Sequence, residues 1–387
     1  MMPARTLTEA EMLAAVRGAK NILLIEPEYK RIYMPLGLAK IAAYAKAHGA
    51  QVRFARHWFG GAFDLVCVSS LFTWESACVI RKLKIFEKMT KARIIVGGIY
   101  ASLMPKHILE NTKRAEVYCG TSPVLDEVVP LYDMDWQVEG PHYHHPQNWD
   151  EFSYVFTSRG CPNRCGYCVV WRMEPKQLIV KNWKSHIIPG RPNVVIGDNN
   201  LSDAPPEHFR DVFAHLTKTG KGVVIDSGID CRRIDDEKAK QLAGVKWIYN
   251  GLRLAFDSMA VDGIFQKCVE RLHKAGVKPG DIMSFVLYNF NDTPAEAHYR
   301  MKECKRMGVR PYPQQFMPLN QLEKGLEHNG MHWTKALCRA FRSYWLLPGL
   351  AMSMRDWVDG EYASTHNPPL TDAEKEILSV GIFEGRG

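Results

Sequence analysis

The chain has 387 residues, 46% hydrophobic and 24% charged, a balance that excludes a disordered or fibrous protein and predicts two or three domains. Its net charge of +8 is modest for the length and its basic residues are scattered, so a nucleic-acid partner is not indicated. No secretory-type leader is evident, and apolar runs such as Tyr344 to Met354 are too short to span a bilayer, so a cytoplasmic protein without a membrane span is expected.

In chain order, the first apolar period predicts a short amphipathic helix from Thr8 to Arg17, followed by a strand from Asn21 to Glu26. Pro35 then opens a helix over Leu36 to His48, which Gly49 ends. Strands are predicted at Gln51 to Ala55, Asp64 to Ser69, Arg93 to Val96 and Ala115 to Tyr118, with a helix near Glu75 to Thr90. This alternation implies a parallel sheet covered on both faces. Residues 132–150 hold Trp136, Gly140, Pro141, Pro146 and His142, His144 and His145; with no helical or strand period, they read as a linker.

The β/α rhythm then resumes. Strands at Tyr154 to Thr157, Asn193 to Ile196, Gly222 to Ile225, Leu252 to Phe256, Ile282 to Tyr288 and Pro313 to Phe316 give about six units, which suit an open partial barrel with ligands at the carboxyl ends of the strands. After Pro318 the chain reads as helical and aromatic. The expected organisation is an N-terminal helix (1–18), a doubly wound, Rossmann-like α/β domain (19–131), the linker (132–150), a partial barrel (151–318) and a helical C-terminal extension (319–387).

Of ten cysteines only three lie close together, in Cys161-Pro-Asn-Arg-Cys165-Gly-Tyr-Cys168, in the loop after the first strand of the second domain. Thiolates are the preferred ligands of iron–sulfur clusters, and three of them leave one iron of a cubane open to a cofactor. A structural zinc site normally takes four ligands, and no obvious fourth is present; a redox disulfide would need a thioredoxin-like setting. The other seven cysteines (Cys67, Cys78, Cys119, Cys231, Cys268, Cys304 and Cys338) read mostly as small core hydrophobes.

The C-x3-C-x-aromatic-C pattern, with Tyr167 as the aromatic, resembles the hallmark of the radical S-adenosylmethionine (SAM) superfamily, and the resemblance extends over residues 152–318. It implies a 4Fe–4S cluster on Cys161, Cys165 and Cys168, whose open iron chelates SAM and cleaves it reductively to a 5′-deoxyadenosyl radical for C–H activation. It further implies SAM contacts at Asp198, Asn199 and Asn200 after the second strand, at Ser227 and Arg233 after the third, and at Asp257 after the fourth, with Tyr167 beside the cluster. Read without the resemblance, Asp198 to Asn200 would be a turn or helix cap, Ser227 a turn serine, Arg233 a surface arginine and Asp257 a cap. The segment from Phe285 to Glu296 resembles the family's fifth-strand motif but lacks its glycines.

Residues 19–131 resemble the cobalamin-binding domain of one branch of that superfamily, through Pro35-Leu-Gly-Leu-Ala, Ser69-Ser70 and Val96-Gly97-Gly98-Ile-Tyr-Ala-Ser102. The resemblance implies cobalamin contacts at Ser69, Ser70, Gly97, Gly98 and Ser102. His57 sits where a cobalt ligand could, but Ala55 replaces the acidic residue of the Asp-x-His-x-x-Gly pattern. A cobalamin-dependent methyltransferase fed by a one-electron reductant such as flavodoxin or ferredoxin is therefore the expected function. Cobalamin-independent rearrangement, oxidation or sulfur insertion is the alternative enzyme, and a metal-stabilised nucleic-acid-binding protein using Lys335, Arg339, Arg342 and Trp345 is the alternative from another class. The substrate class, whether peptide, lipid, nucleotide or small metabolite, stays open.

Overall fold

The computed structural model describes residues 4–29, 34–56, 60–136, 149–323, 330, 332–346 and 371. The chain forms two compact units, one of residues 1–194 with 319–326 and the other of residues 195–318 with 327–387.

The first unit opens with strand β1 (Arg5–Leu7) and helix α1 (Glu9–Gly18). Thr8 starts that helix because its hydroxyl accepts from the Glu11 amide while the Glu11 carboxylate accepts from the Thr8 amide, a reciprocal cap of two otherwise orphaned donors. Then come β2 (Asn21–Ile25), α2 (Leu36–Ala47), β3 (Gln51–Ala55), β4 (Leu65–Ser70), α3 (Ser76–Met89), β5 (Arg93–Gly98), α4 (Ile99–Leu103), α5 (Pro105–Asn111), β6 (Glu116–Tyr118) and α6 (Pro123–Asp126). The six strands form one parallel sheet in the order β1-β6-β5-β4-β2-β3. Alternate side chains of its apolar runs divide between two covers. Ile22, Leu24, Cys67 and Ile95 pack in one core with Met12, Val16, Leu38 and Ala42; Leu23, Ile25, Val66, Val68, Ile94 and Val96 pack in the other with Leu83, Phe86 and Tyr100.

β7 (Phe152–Val155), β8 (Ser158–Arg159), α7 (Val170–Met173) and β9 (Leu178–Ile179) follow, with β8 and β9 antiparallel. β7 belongs to a three-stranded sheet of order β11-β10-β7, in which β10 is Asn193–Ile196 and β11 is Gly222–Ile225, and residues up to 194 fall in the first compact unit. Ion pairs tie β8 to the helices of this unit: Asp126 accepts from Lys40 Nζ at 2.8 Å and from Arg159 Nε at 3.0 Å. The Glu127 carboxylate takes the Lys181 and Asn182 amides, and the Arg191 guanidinium stacks 4.0 Å from the Tyr132 ring centroid. Tyr132 and Trp136, expected in a linker, are core residues, and the Trp136 indole N–H donates to Leu131 O. His142, His144 and His145 lie outside the described residues.

The second unit takes up the chain within β10 (Asn193–Ile196). It continues through α8 (Pro206–Thr219), β11 (Gly222–Ile225), α9 (Asp236–Ala243), β12 (Leu252–Ala255), α10 (Ile264–Ala275), β13 (Ile282–Tyr288), α11 (Pro294–Arg306), β14 (Arg310–Gln315) and α12 (Lys335–Leu346). Strands β12, β13 and β14 are parallel neighbours, the Asp226 amide donates to Ile196 O, and an Ile229–Leu254 bridge joins the β11 and β12 segments. The helices bury one face each: Phe209, Val212, Phe213 and Leu216 on α8, and Phe265, Cys268, Val269 and Leu272 on α10. β14 starts at Arg310, earlier than expected, and tolerates Pro311 and Pro313 because it borders a single neighbour in its sheet. Of the extension after residue 318, helix α12 is described; it buries Leu337, Phe341 and Trp345, so Trp345 is no exposed nucleic-acid platform. Among the described residues no helix is long and apolar enough to cross a membrane.

Candidate cofactor site

The cysteine loop leaves β8 through Gly160 and returns through β9. Gly160 holds φ +82°, and a Cβ there would lie 2.2 Å from Lys176 O and 3.0 Å from Glu174 O, so the backbone of 174–176 closes over a residue that has no side chain. Beyond it Cys161, Cys165 and Cys168 are half-buried and not in disulfides. Their turn is fixed by the chain itself: the Cys168 amide donates to Cys165 O at 3.0 Å and the Trp171 indole N–H to the same oxygen at 3.3 Å. The Val170 amide points at Cys168 Sγ, 3.5 Å away. Tyr167 is half-buried in this loop.

Among the described residues no three His, Cys, Asp or Glu side chains converge on one metal-holding point, so the fit to a cluster rests on donor chemistry and loop form. Three thiols within eight residues, accessible to solvent and with an N–H aimed at a sulfur, suit iron–sulfur ligation; such hydrogen bonds are among the factors that set cluster potentials. The core cysteines are the opposite case. Burial pushes Cys67, Cys231, Cys304 and Cys338 up to about 12 and Cys268 higher still, which keeps them as protonated thiols.

In the second unit the candidate SAM residues follow the carboxyl ends of β10, β11 and β12. Asp198 and Asn200 are buried and Asn199 half-buried. Asn200 Nδ2 donates to Asp203 at 2.6 Å and its Oδ1 accepts from the Ser202 hydroxyl, whose oxygen in turn accepts the Asp230 amide. Arg233 pairs with the other Asp203 oxygen at 2.7 Å. Ser202, Asp203 and Asp230, missed by sequence reading, thus knit the edge together; three polar residues within turns gave no distinguishing signal. Ser227 is exposed, and Asp257 accepts the Leu287 amide at 3.2 Å, bridging the ends of β12 and β13.

At the carboxyl edge of the first sheet, Ser69 and Ser70 pair with Gly97 and Gly98 across β4 and β5. The Ser70 hydroxyl donates to Gly97 O at 2.8 Å and accepts the Ala101 amide; the Ser102 hydroxyl donates to Gly98 O at 2.7 Å and accepts the Gly120 amide. A Cβ on Gly98 would lie 2.3 Å from Ser70 O at φ +105°, so the neighbouring strand already demands glycine there. The sheet reverses its winding between β2 and β4, where ligands of doubly wound folds bind. On the β2 side of this point sequence reading singled out no residue. Glu26 is fully buried, ion-paired to Arg56, and pushed up to about 7 by burial against that attraction. Tyr29 donates to Ser69 O and accepts the Leu71 amide. His57 lies outside the described residues.

The doubly wound parallel sheet, the cysteine loop and the further set of parallel β/α units have the fold of a solved radical SAM methyltransferase. Two solved structures of similar fold are of the radical SAM methyltransferase TsrM from Kitasatospora setae. One, with cobalamin and a 4Fe–4S cluster bound, gives a TM-score of 0.60 at 12% identity over 78% of this chain and 77% of that one. Another, with tryptophan substrate and the SAM analogue aza-SAM bound, gives 0.57 at 12% identity over 78% and 75%. No protein-family model and no curated protein matches the sequence.

Proposed function

We propose that the chain is a radical SAM enzyme of the cobalamin-dependent kind, acting as a methyltransferase. The observation that carries the reading is the C-x3-C-x2-C loop, closed by Gly160 and presenting an N–H to Cys168 Sγ, on a fold shared with a radical SAM methyltransferase. When bound, the cluster and SAM supply one-electron chemistry at an unreactive C–H bond, and cobalamin supplies methyl transfer. In this assignment Cys161, Cys165 and Cys168 hold the cluster, and Tyr167, Asp198, Asn199, Asn200, Ser227, Arg233 and Asp257 orient SAM. Ser69 and Gly97 line the cobalamin edge, while Ser70, Gly98 and Ser102 brace it through the bonds they make within the chain.

Anaerobic reconstitution tests this. Wild-type protein is expected to take up about four irons and to form 5′-deoxyadenosine from SAM under reduction, and variants with Cys161, Cys165 or Cys168 replaced by alanine to lose both. Cys67→Ala and Cys268→Ala should keep their iron. About one zinc and no iron refutes the reading. Corrin absorption and transfer of label from methyl-labelled SAM decide the methyltransferase half; product without label would leave a radical SAM rearrangement or oxidation.

A further inference from the structure

From the same cysteine-loop reading, we propose that Glu174 is a positioning residue for the cluster: it clamps the loop at Gly160 and sets the electrostatic environment of the three thiolates. Three observations within the first unit support it. The Glu174 carboxylate, mostly buried, accepts the amide of Gly160 at 2.9 Å, the residue directly before Cys161. Arg159, directly before that glycine, reaches the other Glu174 oxygen at 3.7 Å. The Arg159 guanidinium also meets both oxygens of Asp126, at 3.0 and 3.2 Å, and stacks 3.7 Å from the Phe156 ring centroid. Asp126, itself buried, is held from its far side by buried Lys40 on α2.

The result is a line of alternating charge, Lys40, Asp126, Arg159 and Glu174, that starts in the hydrophobic cover of the first sheet and ends on the amide preceding the first cysteine. Its formal charges cancel. A structural need for the Gly160 amide to be satisfied would be met by any neutral acceptor; a buried carboxylate is an expensive choice unless its charge is used. Arg159 cannot lose its proton and Asp126 has two cationic partners, so removing the Glu174 charge alone leaves a net positive charge beside the loop. Reduction adds negative charge to a cluster, and a positive surplus favours it.

The test compares anaerobically reconstituted full-length wild type with E174Q and E174A, reading iron per chain and the cluster's reduction midpoint by EPR-monitored titration. E174Q keeps an acceptor oxygen for the Gly160 amide, so it should hold full iron. Its reduced-to-oxidised ratio at fixed potential should rise about tenfold, the scale of one uncompensated charge at roughly 10 Å in an effective dielectric of about 20. For a one-electron couple that is about 59 mV upward. E174A removes the acceptor as well and should lose at least half of the iron while keeping its far-UV dichroism. E174A with full iron, or E174Q with an unmoved midpoint, overturns the proposal while leaving the cluster reading intact; because E174Q is isosteric, this holds even should E174A fail to fold. Wild type that takes up no iron overturns the cluster reading, and this proposal with it.

Discussion

Gly160→Ala should be the costliest conservative change in the cysteine loop. A residue with a Cβ pays about 1–2 kcal/mol to hold a left-handed conformation such as the +82° found here. Its Cβ would also sit 2.2 Å from Lys176 O and 2.8 Å from Lys176 C, against ordinary contacts of about 3.5 Å, and both atoms are backbone and cannot rotate away. Relief requires the two backbone segments, at 160 and at 174–176, to part by about 1 Å, which gives up the Gly160 to Glu174 bond, worth about 1.5–3 kcal/mol with a charged acceptor. The total is about 2.5–5 kcal/mol. Gly190 supplies the internal control, since nothing lies within 4 Å of its missing Cβ and its φ is not left-handed. Urea denaturation of the two alanine variants should show a large loss for position 160 and less than about 0.5 kcal/mol for position 190. Iron uptake should fall only in the first. A Gly160→Ala variant as stable as wild type, with unchanged iron, would refute the claim that backbone closure over this glycine shapes the loop.

Glu26 makes stability pH-dependent in a predictable direction. Its folded pKa is raised from 4.5 to about 7, so the protonated form is favoured by folding and the contribution is lost as pH rises through about 7. Relative to wild type, Glu26→Gln should gain roughly 2–3 kcal/mol of stability between pH 5 and pH 8; parallel stability curves for the two proteins would show that Glu26 is not the titrating group. Asp126→Ala leaves Lys40 buried without its partner and should cost about 3–5 kcal/mol, read from the denaturation midpoint at pH 7. Burial alone would raise Asp126, but Arg159 and Lys40 outweigh it and hold it below the usual carboxylate range, so wild type should lose this contribution as pH falls through that lowered value while Asp126→Ala does not.

What could be seen in the sequence follows from how local its causes are. Asn21–Ile25 and Arg93–Gly98 are readable as strands because continuous apolar runs need cover on both faces. Strand β1 is not: Arg5, Thr6 and Leu7 carry no period, and their place comes from pairing with Glu116 to Tyr118 more than a hundred residues away, with Arg5 bound to the Glu116 carboxylate. The tie between Asp126 and Arg159 was hidden for the same reason, since 33 residues separate the partners. Glycines show a third kind of limit. The residue type at 97 and 98 is legible, but that Gly98 yields to Ser70 O, rather than to a ligand alone, requires the register of β4 on β5.

The second unit shows how an in-chain partner bears on a ligand role. Arg233 is paired with Asp203; its own side chain is 55% exposed while that of Asp203 is 7% exposed, so solvent screens the arginine end of the pair. A ligand carboxylate can therefore take the guanidinium at small cost, and Asp203 is not orphaned by the exchange because Asn200 Nδ2 still donates to its other oxygen at 2.6 Å. Asn200 stands differently. Its amide holds Asp203 through one atom and the Ser202 hydroxyl through the other in a buried setting, where breaking either bond leaves a polar group to be satisfied at about 1–3 kcal/mol. Of the two, Arg233 has the contact that is easier to exchange, and Asn200 the bonds that would keep Asp203 in place.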